Sequence, residues 1–111
     1  MGIPLHQAKA ELFRTMGHPV RVRVLELLQE RPRAVHELLD EIDVEASNLS
    51  QQLAVLRRAG LVISTREGAT VRYSLATKDV SQVMSAARRI LTDLLSERQE
   101  LLSELRAAES P

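Results

Sequence analysis

The stretch Ser47-Asn48-Leu49-Ser50-Gln51-Gln52-Leu53-Ala54-Val55-Leu56-Arg57-Arg58-Ala59-Gly60-Leu61-Val62 decides how the rest of the chain is read. Leu49, Leu53, Val55 and Leu56 form a narrow apolar stripe on a helix expected over residues 45–59, and Gly60 stands where a C-terminal cap belongs. The other positions are small polar residues, amides and arginines. Such a helix buries one side and leaves a hydrogen-bonding side free. Short Ser, Asn and Gln side chains on a helix can reach base edges in a major groove, whereas Arg suits phosphates, which position a protein without specifying sequence. Ser47, Asn48, Ser50, Gln51 and Gln52 are therefore candidate base-reading residues, and Arg57 and Arg58 candidate phosphate contacts.

Downstream, Val71, Tyr73 and Leu75 alternate with Thr70, Arg72 and Ser74, the period of two expected of a strand. With Leu61–Arg66 across Glu67-Gly68-Ala69 this predicts a hairpin over 61–76 whose outward face is polar and basic, adding Arg66 and Arg72 to the phosphate candidates. From 79 to 107, Val80, Val83, Met84, Ala87, Ile90, Leu91, Leu94, Leu95, Leu101, Leu102 and Leu105 make one long apolar stripe. A helix of that span is about 40 Å long, against about 30 Å for the diameter of a domain this size. The excess calls for a second copy across a two-fold axis; a helix wrapped wholly onto its own core is the alternative.

Upstream, a helix over 35–42 turns Val35, Leu38, Leu39 and Ile42 inward and its acids outward, and Asp43-Val44 makes the turn of a helix-turn-helix with 45–59. Pro19 opens a helix over 19–30, where its missing N–H has no helical partner, and Arg31-Pro32-Arg33 ends it. Leu5, Ala8, Leu12, Phe13 and Met16 give a first amphipathic helix over 5–16. The expected fold is mainly α with a β-hairpin: one winged helix-turn-helix domain spanning 1–111, dimeric through its first and last helices. Leu5, Leu12, Val83, Ala87, Ile90, Leu91, Leu94 and Leu95 are the expected interface residues.

Composition narrows the function further. The 111 residues carry 15 Lys or Arg and 15 Asp or Glu, so a simple polycationic nucleic-acid binder is excluded and any basic surface is local. Residues 36–45 hold five acids and no Lys or Arg, while residues 46–78 hold five Lys or Arg against Glu67 alone. The acidic block offsets the basic one and can limit indiscriminate binding. Phe13 and Tyr73 are the only aromatic residues, too few for a base-stacking platform. Cysteine is absent, which removes disulfides and thiolate metal sites together. Met1-Gly2-Ile3-Pro4 lacks a charged leader, and no run approaches the roughly 20 apolar residues of a membrane span, so a cytoplasmic protein with no membrane partner is expected.

Met16-Gly17-His18-Pro19-Val20-Arg21-Val22-Arg23-Val24-Leu25-Glu26-Leu27-Leu28 resembles the second-helix signature of the ArsR/SmtB repressors, and residues 47–62 resemble their recognition helix running into the wing. The resemblance covers roughly residues 8–76. It implies a dimeric winged-helix regulator of transcription bound to double-stranded operator DNA, usually a repressor released when a metal or another signal binds.

The sensing sites depart from that pattern. Where the family's metal sensors often carry Cys-x-Cys-Asp-Leu, this chain has Ala34-Val35-His36-Glu37-Leu38, and between Asp79 and Pro111 it has no histidine. Of the three histidines, His18 reads as a helix-capping residue. His6 and His36 are left as a candidate inter-subunit pair for nickel or zinc, with Glu37, Asp40, Glu11 or water completing the shell; surface histidines are the alternative. Asp79 and Asp93 read as solvated carboxylates.

His36-Glu37-Leu38-Leu39-Asp40 superficially resembles a zinc-protease helix but lacks a candidate third ligand, and no phosphate loop or nucleophile elbow is present, so an enzyme is not expected. The rival class is a protein-interaction adaptor whose last helix or acidic block docks, or is regulated by, a partner protein.

Overall fold

The computed structural model describes residues 2–109. In chain order the elements are α1 (Leu5–Met16), α2 (Pro19–Glu30), β1 (Arg33–Ala34), α3 (Val35–Glu41), α4 (Ala46–Arg58), β2 (Val62–Glu67), β3 (Thr70–Leu75) and α5 (Lys78–Glu109). The described residues as far as Ser81 form one compact unit, and those from Gln82 onward form a second.

In the first unit, the helix starts and stops follow local chemistry. Pro19 occupies the first turn of α2, and the His18 ring caps it, Nδ1 accepting a hydrogen bond from the Val20 N–H at 3.2 Å. α2 ends in the extended backbone of Arg31, ahead of Pro32. α4 ends in a Schellman motif: Gly60 takes a φ of +79°, its N–H donates to the Arg57 carbonyl, and the Leu61 N–H donates to the Leu56 carbonyl.

The core of this unit is aliphatic. Val24, Leu25, Leu27 and Leu28 of α2, Leu38 of α3, Leu49, Leu53 and Leu56 of α4, and Leu61, Val62 and Val80 are all buried. Three of the four stripe positions of α4 are thus interior and Val55 is half-buried, so the helix is seated by one edge with its opposite side in solvent.

Two features depart from the expectation. Arg33 and Ala34 do more than end a helix: they form a short strand on the edge of the wing, pairing antiparallel with Tyr73 and Arg72, so the sheet has three strands in the order β1-β3-β2. The hairpin turn is also tighter than expected. Glu67 belongs to β2 and pairs with Thr70, leaving a two-residue loop in which Gly68 has a φ of +63°, the left-handed conformation a tight hairpin requires.

α5 is a continuous helix of 32 residues, about 48 Å long at 1.5 Å per residue. Within the second unit Ile90, Leu91, Leu94, Leu95, Leu101, Leu102 and Leu105 are exposed.

Candidate nucleic-acid interface

At 3.6 residues per turn, Ser47, Gln51 and Arg58 fall opposite the Leu49–Leu53–Leu56 stripe of α4, with Ser50 and Arg57 on one flank and Asn48 and Gln52 on the other. Ser47, Ser50, Gln51, Arg57 and Arg58 are exposed, and their side chains make no hydrogen bond or ion pair among the described residues. Their hydrogen-bonding capacity is available to a ligand.

Asn48 and Gln52 differ. Both are half-buried and joined, Gln52 Nε2 donating to Asn48 Oδ1 at 2.9 Å. Gln52 Oε1 in turn accepts from Arg21 Nε at 2.7 Å, and Arg21 Nη1 donates to the Thr15 carbonyl at 2.9 Å. Arg21 is a residue that spacing did not single out for this surface. It stands outside α4, and only the packing of α2 on α4 brings it there.

The wing arginines also divide. Arg66 is exposed on β2 with no ion-pair partner among the described residues. Arg72 on β3 is held by two carboxylates, Glu37 Oε1 at 3.0 Å from Nη1 and Glu67 Oε2 at 3.2 Å from Nε. Among the described residues, the basic block that charge counting places on residues 46–78 therefore has its unpaired cations at Arg57, Arg58, Arg66 and Lys78, the last at the start of α5, while Arg72 is largely neutralised in place.

Glu37 is the centre of that arrangement. Its carboxylate accepts hydrogen bonds from the Ala34 N–H (3.0 Å), Arg31 Nη1 (2.7 Å) and Arg72 Nη1 (3.0 Å). The backbone donor, then the Arg31 hydrogen bond and the two guanidinium charges, lower its pKa to about 2. Sequence reading placed Glu37 among the outward acids. The available signal was its position at the third residue of α3, from which a Glu reaches back to the N–H preceding the helix. Beside it, Arg33 is a buried arginine paired with Glu30, its Nε without a hydrogen-bond partner.

His6 on α1 and His36 on α3 are both exposed, and the described residues contain no group of three or more His, Asp or Glu that could hold a metal ion. Glu37, one of the carboxylates expected to complete a nickel or zinc shell, is committed to two arginines and a backbone N–H. The described residues of one chain therefore bring no three-ligand set together around His6 or His36.

The expected interface residues fall into two groups. Leu5 and Leu12 are exposed on α1, where Phe13 is exposed as well. On α5, Val83 is half-buried, whereas Ala87, Ile90, Leu91, Leu94 and Leu95 are exposed. No helix among the described residues is long and apolar enough to cross a membrane.

Comparison with known proteins converges on one family. The family model for bacterial regulatory proteins of the arsR family matches residues 18–64, which run from the cap of α2 into the wing. The chain is similar to the HTH-type transcriptional regulator Rv0081 of Mycobacterium tuberculosis, with 50% identity over 108 residues, covering 96% of this chain and 95% of that protein. It is also similar to the HTH-type transcriptional repressor SmtB of the same organism, with 38% identity over 77 residues, covering 69% of this chain and 57% of that protein. The crystal structure of Rv0081 superposes with a TM-score of 0.81 at 50% identity, covering 87% of this chain and 98% of that one.

Proposed function

Because this chain belongs to the arsR family of bacterial regulatory proteins and is a DNA-binding regulator of transcription, we propose that it acts as a cytoplasmic homodimer on near-palindromic operators. In this reading each subunit, as one winged-helix domain, lays α4 in a major groove, and the two half-sites lie about one helical turn apart. Ser47, Asn48, Ser50 and Gln51 meet base edges, while Gln52, expected from the sequence among them, has its amide engaged by Arg21 and Asn48 and supports the face from behind. Arg57, Arg58 and the wing residues Arg66 and Arg72 meet phosphates, Arg72 by exchanging a carboxylate partner for a phosphate.

The observation that carries the proposal is the outward face of α4. Ser47, Ser50, Gln51, Arg57 and Arg58 are exposed and unsatisfied on a helix whose other edge is anchored by fully buried leucines. A face this rich in donors and acceptors, backed by a rigid core, suits a ligand bearing both base edges and phosphates.

The proposed dimer interface draws on Leu5 and Leu12 of α1 and on Val83, Ala87, Ile90, Leu91, Leu94 and Leu95 of α5. Leu5 is 70% exposed and Ile90 59% exposed in the single chain, more apolar surface than a free helix keeps in water. A nickel or zinc effector would sit between subunits, on His6 of one and His36 of the other, since the described residues of one chain offer no three-residue cluster.

A mobility-shift titration with promoter fragments, using Arg57→Ala and Gln51→Ala as variants, tests the proposal. Binding that weakens with salt and with both substitutions supports it; binding indifferent to both contradicts it and favours a protein-docking role.

A further inference from the structure

A polar chain runs from the end of α1 to the first turn of α4. Arg21 donates to the Thr15 carbonyl and to Gln52 Oε1, and Gln52 donates to Asn48 Oδ1. Each link has a fixed sense. A guanidinium carries donors only, so Gln52 must turn its oxygen toward Arg21 and its NH2 toward Asn48. Asn48 must then turn its oxygen toward Gln52.

What is left over is the Asn48 Nδ2 group, whose N–H bonds have no partner among the described residues. The anchor at the other end is firm as well. The Thr15 carbonyl lies in the last turn of α1, where carbonyls lack helical partners, and Arg21 satisfies it. Arg21, Gln52 and Asn48 are all half-buried, so the chain is partly screened from water.

We infer that Arg21, acting through Gln52, fixes Asn48 as a hydrogen-bond donor toward DNA and thereby selects guanine over adenine at the base pair Asn48 faces. This rests on the proposed placement of α4 in the major groove. Guanine offers two acceptors there, N7 and O6. Adenine offers an acceptor at N7 and a donor at N6, and a bidentate pair with Asn needs both the amide oxygen and the amide nitrogen turned outward. With Oδ1 drawn inward and already accepting a hydrogen bond, the adenine pair is lost, whereas an outward NH2 meets only acceptors on guanine. Arg21 itself touches no base; it is a positioning residue.

Selection of bound duplexes from a randomised pool by the full chain, followed by sequencing, reads the base preference at every position. The wild type is expected to show one position per half-site where guanine exceeds adenine, and Asn48→Ala is expected to erase that preference. Arg21→Met keeps the aliphatic stem but removes the donors, freeing both amides to rotate. The guanine-to-adenine ratio should fall about tenfold there, within the range for one bidentate pair, while other positions keep their preferences.

Gln52→Glu gives the sharper readout. The carboxylate still accepts from Arg21 but has no N–H to offer Asn48 Oδ1, so Asn48 turns its NH2 inward and its oxygen outward. The preference should move from guanine to a base with an exposed donor, cytosine N4 or adenine N6. Because this variant retains the Arg21 contact, it stays informative where Arg21→Met does not fold, and thermal unfolding of each variant separates lost fold from lost preference. If folded Gln52→Glu selects the same base as the wild type at every position, the inference is overturned while α4 keeps its groove. If the wild type selects no sequence at all, the placement of α4 fails and the inference with it.

Discussion

Glu37 Oε1 on α3 lies 3.0 Å from Arg72 Nη1 on β3, tying the first helix of the helix-turn-helix to the wing across 35 positions of sequence. The same carboxylate holds Arg31 at the end of α2, so one side chain fixes three segments that frame the proposed DNA surface. Its pKa falls from 4.5 to about 2 through the Ala34 N–H, Arg31 and Arg72. A group whose pKa is lowered on folding contributes stability that is complete above its unfolded value and is lost as pH falls through its folded value. Glu37→Gln should therefore lower the melting temperature at pH 7, and the gap from wild type should close as pH falls from 4.5 toward 2. Thermal unfolding by circular dichroism across that range checks it; a gap independent of pH contradicts the ion-pair account.

Leu53 is 1% exposed and lies two residues from Gln51, which faces solvent on the opposite side of the same helix. Leu53→Ala should cost about 2–5 kcal/mol of unfolding free energy, the usual range for emptying a leucine site, whereas Gln51→Ala should stay within about 0.5 kcal/mol of wild type. Urea titration of both variants measures the contrast. Equal costs would mean that α4 is not seated by its leucine edge.

The proposed subunit contact makes its own demand. Leu91 and Leu94 are exposed on α5 of the single chain, and burying a charge among apolar side chains is costly without a partner. Leu91→Glu with Leu94→Glu should shift the protein from dimer to monomer in sedimentation equilibrium at micromolar concentration and weaken operator binding with it. A double variant that stays dimeric places the interface elsewhere.

Nickel and zinc titrations should separate the sensing readings. His6 and His36 are exposed and, among the described residues of one chain, belong to no group of three ligands, so nickel or zinc binding that calorimetry detects on the dimer should be lost with His6→Ala and with His36→Ala, and binding indifferent to both removes the shared site. Tight binding abolished by either substitution would establish a site shared between subunits.

Much of this architecture is legible in the sequence because it depends on local chemistry. The Leu49, Leu53 and Leu56 spacing places one edge of α4 in the core, Gly60 ends it at a positive φ, and Val71, Tyr73 and Leu75 mark the wing by alternation. What was not legible depends on tertiary pairing. A strand of two residues, Arg33–Ala34, is too short to show a period, and its partners lie about 40 positions away. Arg72 reads as a free cation until Glu37 and Glu67 are brought against it, and Gln52 reads as a free amide until Arg21 arrives from α2. In each case the residue type was informative, but its availability depended on a neighbour that spacing does not reveal.

The central claim is that the outward face of α4 reads DNA while unpaired arginines hold its backbone. Fluorescence-anisotropy titration of a selected duplex over a series of salt concentrations, with wild type, Arg57→Ala, Arg58→Ala, Arg66→Ala and Gln51→Ala, tests it most directly. Each arginine substitution should weaken specific and non-specific binding alike and reduce the magnitude of the log–log salt slope by about 0.9. Gln51→Ala should cost about 1–3 kcal/mol on the selected duplex and nothing measurable on a scrambled one. If the salt slope is unchanged in all three arginine variants and Gln51→Ala binds both duplexes as the wild type does, the DNA-reading face is not on α4.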